Sequence, residues 1–174
     1  NLRRLNGVLR LSSGSVDNGW AATLMAFESH WSATDQVPRR AIDAGLIGRF
    51  GNLNPTDGGR TRRSSLSGEW STRDGGGWTR LNAYAIDYSL DLWSDFSFCL
   101  NDMALTGSCQ RGDQFHQADR RKVYGLDVAH SGFGALAGRP ADFTLGVQVR
   151  HDRIDRVALG LSSARQDYLA IRND

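Results

Sequence analysis

The sequence predicts an all-β protein, an antiparallel meander of six to seven long strands with short turns at one end and long loops at the other. Three observations predict it. From Tyr84 to Leu100 the chain alternates with period two, placing Tyr84, Ile86, Tyr88, Leu90 and Leu92 on one side and Ala85, Asp87, Ser89 and Asp91 on the other. Successive side chains of a strand point to opposite faces, so this is one long strand with an oily side and a polar side. Among the 40 charged residues only Lys122, Glu28 and Glu69 are Lys or Glu, and 20 residues are Gly. Glu and Lys favour helices, whereas Asp and Gly favour turns. Finally, short stretches rich in Gly, Ser and Asp alternate with long polar ones between the patterned segments.

The elements follow in order. In residues 2–13, Leu5, Leu9 and Leu11 face away from Arg4, Asn6 and Arg10. The turn Ser13 to Asn18 leads to a strand at 19–31 that is apolar on both sides, so its register stays open. The loop 32–60 holds a short helix after Pro38, since Ala41, Ile42, Leu46 and Ile47 recur at helical spacing, and Gly45 and Gly48 limit its length. A strand at 61–73, the turn Asp74 to Gly77 and a strand at 78–101 come next. The second long loop, 102–119, precedes strands at 120–132 and 141–153, joined by the turn Phe133 to Pro140. Val157, Leu159 and Leu161 open a seventh.

A strand of this length far exceeds the usual five or six residues and suits a wall between lipid and water. No apolar stretch reaches the roughly 20 residues that a membrane helix needs. An open sheet in lipid would expose unpaired backbone groups. Six or seven strands therefore read as a fraction of a transmembrane barrel, and a chain beginning at Asn1 reads as a piece of something longer. The net charge of +2 is spread over interspersed Arg and Asp with no basic patch, which argues against nucleic acid.

Several residues are candidates for function. Asp87, Asp91 and Asp95 form an acidic row expected to face a watery lumen, either as a track for a cationic or metal-bearing ligand or as a hydrated interior in which they pair with lumen-facing Arg of neighbouring strands, such as Arg63 or Arg150. Trp31, Asp35, Gln36, Arg39 and Arg40 stand in the first loop, with Thr34 beside Asp35; Asp113, Gln114, His116, Arg120 and Arg121 stand at the end of the second. Arg presents a planar donor fork suited to carboxylates or catecholates. The structural alternative makes Asp35 a helix cap and the Arg residues braces between loops. His116 has no second His or Cys at ligand spacing, so no metal site is expected. Cys99 and Cys109 also lack metal-site spacing, leaving a loop disulfide or two free thiols. Trp20, Trp70, Trp78, Tyr84 and Tyr88 read as interfacial girdles. No enzyme is expected: the four His are scattered, no Ser-centred motif flanks them, and the spacing of Asp87 and Asp91 is that of any polar strand face.

Three strings carry a family resemblance: Trp31-Ser-Ala-Thr-Asp-Gln-Val-Pro-Arg-Arg-Ala41, Arg49-Phe-Gly-Asn-Leu-Asn-Pro-Thr-Asp-Gly-Gly59 and Gly112-Asp-Gln-Phe-His-Gln-Ala-Asp-Arg-Arg121. Together with Leu145-Gly-Val-Gln-Val-Arg-His-Asp152, they make the chain resemble the barrel of TonB-dependent outer-membrane receptors over nearly its whole length. Asn54 departs from the pattern, which has Asp before Pro55. The resemblance implies a 22-stranded barrel in the outer membrane of a Gram-negative bacterium, filled by an N-terminal plug. Such a receptor imports a scarce nutrient, such as a ferric siderophore, with energy from the TonB complex. The chain would supply barrel wall and ligand-facing loops. Its partners would be outer-membrane lipid, the remaining barrel with its plug, the TonB complex through the missing N-terminal part, and a small ligand. No cofactor is implied. A passive porin-like or structural barrel is the alternative, and a β-hydrolase a weaker one.

Overall fold

A computed structural model describes residues 1–33 and 35–173; Thr34 lies outside them. Seven strands form one antiparallel sheet in sequence order: β1 (Leu2–Gly14), β2 (Gly19–Ser32), β3 (Gly58–Asp74), β4 (Gly77–Ser94), β5 (Gln114–Leu136), β6 (Arg139–Ser163) and β7 (Gln166–Asn173). Two short helices, α1 (Arg39–Asp43) and α2 (Leu100–Thr106), sit in the β2–β3 and β4–β5 loops. No helix among the described residues is long and apolar enough to cross a membrane.

Cross-strand register fixes which side chains share a face, because directly opposed residues of an antiparallel pair lie on the same side. One row reads Leu9, Leu24, Leu66, Ala85, Tyr124 and His151; the next toward the turns reads Leu11, Ala22, Gly68, Ala83, Leu126 and Val149. Below them lie Trp20, Trp70, Leu81, Val128 and Val147, with the two Trp directly paired. This face is called the banded face, since apolar residues cross six strands in a continuous belt on the half nearer the turns. Its Leu, Val and Trp side chains are largely exposed.

The opposite face differs over the same half. Its rows read Arg10, Thr23, Ser67, Tyr84, Gly125 and Arg150, then Ser12, Ala21, Glu69, Asn82, Asp127 and Gln148. Arg10 donates to Thr23 Oγ1 at 2.9 Å and pairs with Glu69 at 3.2 Å, and Asn82 donates to Asp127. The Tyr84 ring lies over Gly125, where an added Cβ would fall 2.2 Å from Cε1, so only Gly leaves room for it.

These registers correct several sequence expectations. Tyr84, Ile86, Tyr88, Leu90 and Leu92 stand on the face that carries Arg10, Glu69 and Arg150, not on the banded face. Asp87 and Asp91 lie on the banded face, whereas Arg63 and Arg150 lie on the other, and Asp95 lies past the end of β4, so the acidic row does not pair with these Arg. Trp20 and Trp70 are on the banded face, but Trp78, Tyr84 and Tyr88 are not. A single strand shows two alternating sides without revealing which neighbours each side joins, and that is why β4 misled.

Several boundaries also move: β3 begins at Gly58 instead of 61, and β5 and β6 run to Leu136 and from Arg139, which shortens the turn expected at 133–140 to Ala137–Gly138. β4 stops at Ser94 instead of 101, β5 begins at Gln114 instead of 120, and what read as two strands at 141–153 and from 157 is the single 25-residue β6. The alternation of short turn and long loop therefore ends with a tight turn, Ala164–Arg165, on the loop side. The helix after Pro38 is present as α1, which contains Ala41 and Ile42 but ends at Asp43, short of Leu46 and Ile47.

Candidate functional site at the loop end

The loops meet the sheet through buried polar side chains. Asp113, wholly buried, accepts hydrogen bonds from Ser97 Oγ (2.9 Å) and from the N–H groups of Asn101 (2.7 Å) and Asp102 (2.8 Å). It therefore satisfies orphan donors at the start of α2, the task that a local cap usually performs. Asp102 in turn accepts the N–H groups of Gln110, Arg111 and Gly112. Those donors hold its carboxyl below the usual carboxylate range, the Arg111 N–H contributing most. Cys99 and Cys109 are disulfide-bonded across this loop.

Gln114, the first residue of β5, joins three elements. Its Nε2 donates to Thr56 Oγ1 and to Asp57 Oδ1, both at 2.8 Å, and its Oε1 accepts from Ser162 Oγ and from the N–H of Arg165, both at 2.9 Å. Asp57 is almost fully buried, and that burial pushes its pKa up to about 6; the Gln114 bond opposes the rise, and the charges of Asp35 and Asp95 add to it. Burial likewise raises Asp95, which accepts from Asn54 Nδ2 at 3.1 Å. An amide at position 54 thus gives Asp95 a donor where a carboxylate would repel it. Asp35 accepts from Ser94 Oγ and from the Asp95 N–H, tying the first loop to the end of β4.

A second cluster lies on the banded face beyond the belt. Asp91 pairs with Arg60 (2.7 Å), Arg120 (2.6 Å) and His116 Nε2 (3.2 Å), and His116 Nδ1 meets Asp167 at 2.8 Å. The Trp93 ring stacks on His116 with centroids 4.7 Å apart, and the Arg165 guanidinium lies over its other side. His116 is thus a satisfied polar group, and no group of His, Cys, Asp and Glu suited to a metal occurs among the described residues.

Several sequence candidates have partners within the chain. Asp35, Asp113, Gln114, His116 and Arg120 are held by internal partners, and Arg39 pairs with Asp43 one turn along α1. Arg121 pairs with Asp119. Gln36 and Arg40 are exposed on the first loop. Sequence reasoning missed a different group. On the face opposite the band, toward the loops, register aligns Phe27, Arg63, Tyr88 and Arg121 in one row and Trp31, Gly59, Leu92 and Gln117 in the next but one. Trp31 lies over Gly59, where a Cβ would come within 2.5 Å of the indole. Phe96 stacks on Phe115 at 4.9 Å, and Arg4 lies over Phe27. The result is a surface of aromatic faces and guanidinium groups beneath the loops. Part of the signal was present in the β4 alternation, whose even side chains supply Tyr88 and Leu92 to this surface.

Comparison with protein-family models, with characterised proteins and with solved structures finds no match for the chain.

Proposed function

We propose that this chain is part of the wall and ligand-facing loops of an outer-membrane receptor of the TonB-dependent class, which imports a scarce nutrient such as a ferric siderophore by energy-coupled transport. One observation carries the reading. Over the half of the sheet nearer the turns, one face is apolar across six strands while the reverse of the same rows is polar and hydrogen-bonded. A soluble sheet buries its apolar face under another layer. Here that face stays bare among the described residues, as hydrocarbon contact requires. The short turns would lie on the periplasmic side and the long loops outside. The aromatic and Arg surface under the loops fits an anionic chelate with aromatic groups, since guanidinium forks pair with carboxylates or catecholates and rings stack on rings.

Neighbouring substitutions on opposite faces test the wall. In the full-length protein, Leu24→Arg or Leu66→Arg should impair assembly into the membrane by about 2–4 kcal/mol, whereas Thr23→Arg and Ser67→Arg should be tolerated, read as the folded fraction inserted in lipid vesicles. Equal tolerance on both faces would remove the membrane assignment. Transport is tested by growth and chelate uptake under iron limitation in cells lacking the full-length gene. Uptake that survives collapse of the inner-membrane proton gradient would identify a passive pore instead.

A further inference from the structure

His116 meets a carboxylate at each ring nitrogen, and the two carboxylates belong to different strands. Its Nε2 lies 3.2 Å from Asp91 Oδ1 on β4, and its Nδ1 lies 2.8 Å and 2.9 Å from the two oxygens of Asp167 on β7. Gly160 of β6 stands opposite His116 in register and puts no side chain between β5 and β7, so Asp167 reaches across a whole strand. The ring is buried and stacks on Trp93, which also carries the Arg165 guanidinium. Arg60 and Arg120 both donate to the other oxygen of Asp91. Arg156 of β6 stands two rows nearer the belt, and Asp57 is bonded to Gln114, the next residue of β5 on this face. A neutral imidazole has one N–H and an imidazolium two, so an acceptor at each nitrogen matches the doubly protonated ring. The ring's charge also strengthens both bonds.

When one ring proton leaves, Asp167 either faces a bare lone pair or keeps an N–H that has lost its positive charge. Its hold weakens in both tautomers. Asp91 keeps its two Arg, whereas His116 is the ion-pair partner of Asp167 among the described residues. Strand β7 depends on that hold, since it has eight residues, pairs with β6 alone and breaks register twice. Yet the β6–β7 corner fastens both long loops. Arg165 Nε donates to the Thr56 carbonyl at 2.7 Å, and the Tyr168 hydroxyl donates to the Gly112 carbonyl at 3.0 Å. We propose that His116 is a pH-sensitive clasp: protonated, it pins β7 through Asp167 and holds both loops to the corner; neutral, it slackens the edge strand and frees them. Histidine is the side chain suited to such a switch near neutral pH. The inference stands on this geometry and goes beyond the reading of the sheet as a membrane wall.

The test is hydrogen exchange of β7 in the full-length protein, expressed as protection relative to intrinsic exchange at each pH. Between pH 5 and pH 8 the protection of the β7 amides should fall about tenfold, as expected for the loss of one charge-assisted bond. Asp167→Asn separates the clasp from ordinary packing. Its amide donates to Nδ1 of the neutral ring, whose Nε2–H then serves Asp91, so β7 should stay protected at pH 8. Asp167→Ala should leave β7 poorly protected at both pH values. Asp57→Asn should leave the fall in β7 intact, because Asp57 is bonded to Gln114 and not to the ring. Wild-type protection of β7 that does not change with pH overturns the proposal. So does a fall that survives in Asp167→Asn, or one that Asp57→Asn abolishes.

Discussion

Asp57 shows how a single side chain can set the pH response of the loops. Its folded pKa of about 6 exceeds the ordinary carboxylate value of 3.8, so between those values the folded state keeps a proton that the unfolded state releases. Stability from this group is therefore greatest at low pH and declines as pH rises through about 6. Protection of the amides around Asp57, measured relative to intrinsic exchange at each pH, should fall from pH 5 to pH 7, and Asp57→Asn, which keeps an acceptor for Gln114, should flatten that trend. Gln114→Ala should be more damaging. It removes one hydrogen bond each from Thr56, Asp57, Ser162 and the Arg165 N–H, while Thr56 keeps Asn54 Oδ1 and Ser162 keeps the carbonyl of residue 114, so the loss is about 1–3 kcal/mol, seen as loss of exchange protection in both Gly58 and Arg165. None of this was legible in the sequence. Gln114 reads as one polar residue in a polar stretch, and its partners lie about 50 residues away on either side.

Among the elements, the strands were legible where one side is apolar and the other polar, and illegible where both are polar. The start of β5, Gln114 to Asp119, lies beyond the apolar belt, so nothing in its pattern separates it from a loop. Helix α2 escaped for another reason: Asp113, which satisfies its first donors, follows the helix instead of preceding it. The loop that carries α2 is closed by the Cys99–Cys109 disulfide, ten residues apart. Cys109→Ser should cost it about 2–3 kcal/mol of local stability, measured as faster proteolysis between 95 and 113 in the full-length protein. The β5–β6 turn offers the reverse experiment. Ala137 and Gly138 both have positive φ (51° and 77°), the conformation of a type I′ turn, for which Asn-Gly is preferred. Ala137→Asn should stabilise the hairpin by about 0.5–1 kcal/mol, read as a higher unfolding midpoint in denaturant.

At the scale of the molecule, the order of β1 to β6 was legible from alternating turns and loops, but β7 and the identity of the two faces were not. Facing depends on register, and a shift of one residue exchanges every side chain between faces. Only when β4 is read together with Leu24, Leu66 and Tyr124 does its lower half join the belt through Leu81, Ala83 and Ala85, while its oily upper half joins the aromatic surface on the other side. One interruption governs this bookkeeping in β6. Arg121 is opposite Ile154 and Arg120 opposite Arg156, so Asp155 is a bulge. Below it odd-numbered residues of β6 share the belt's side; above it even-numbered ones do. The extra residue acts as a phase shifter, letting one continuous strand obey an apolar rule along its lower course and a different, polar rule near its top. Excising Asp155 would bring the upper segment back into step with the lower, turn Ser162 away from Gln114, and unfasten the β6–β7 corner without touching a single residue of the belt.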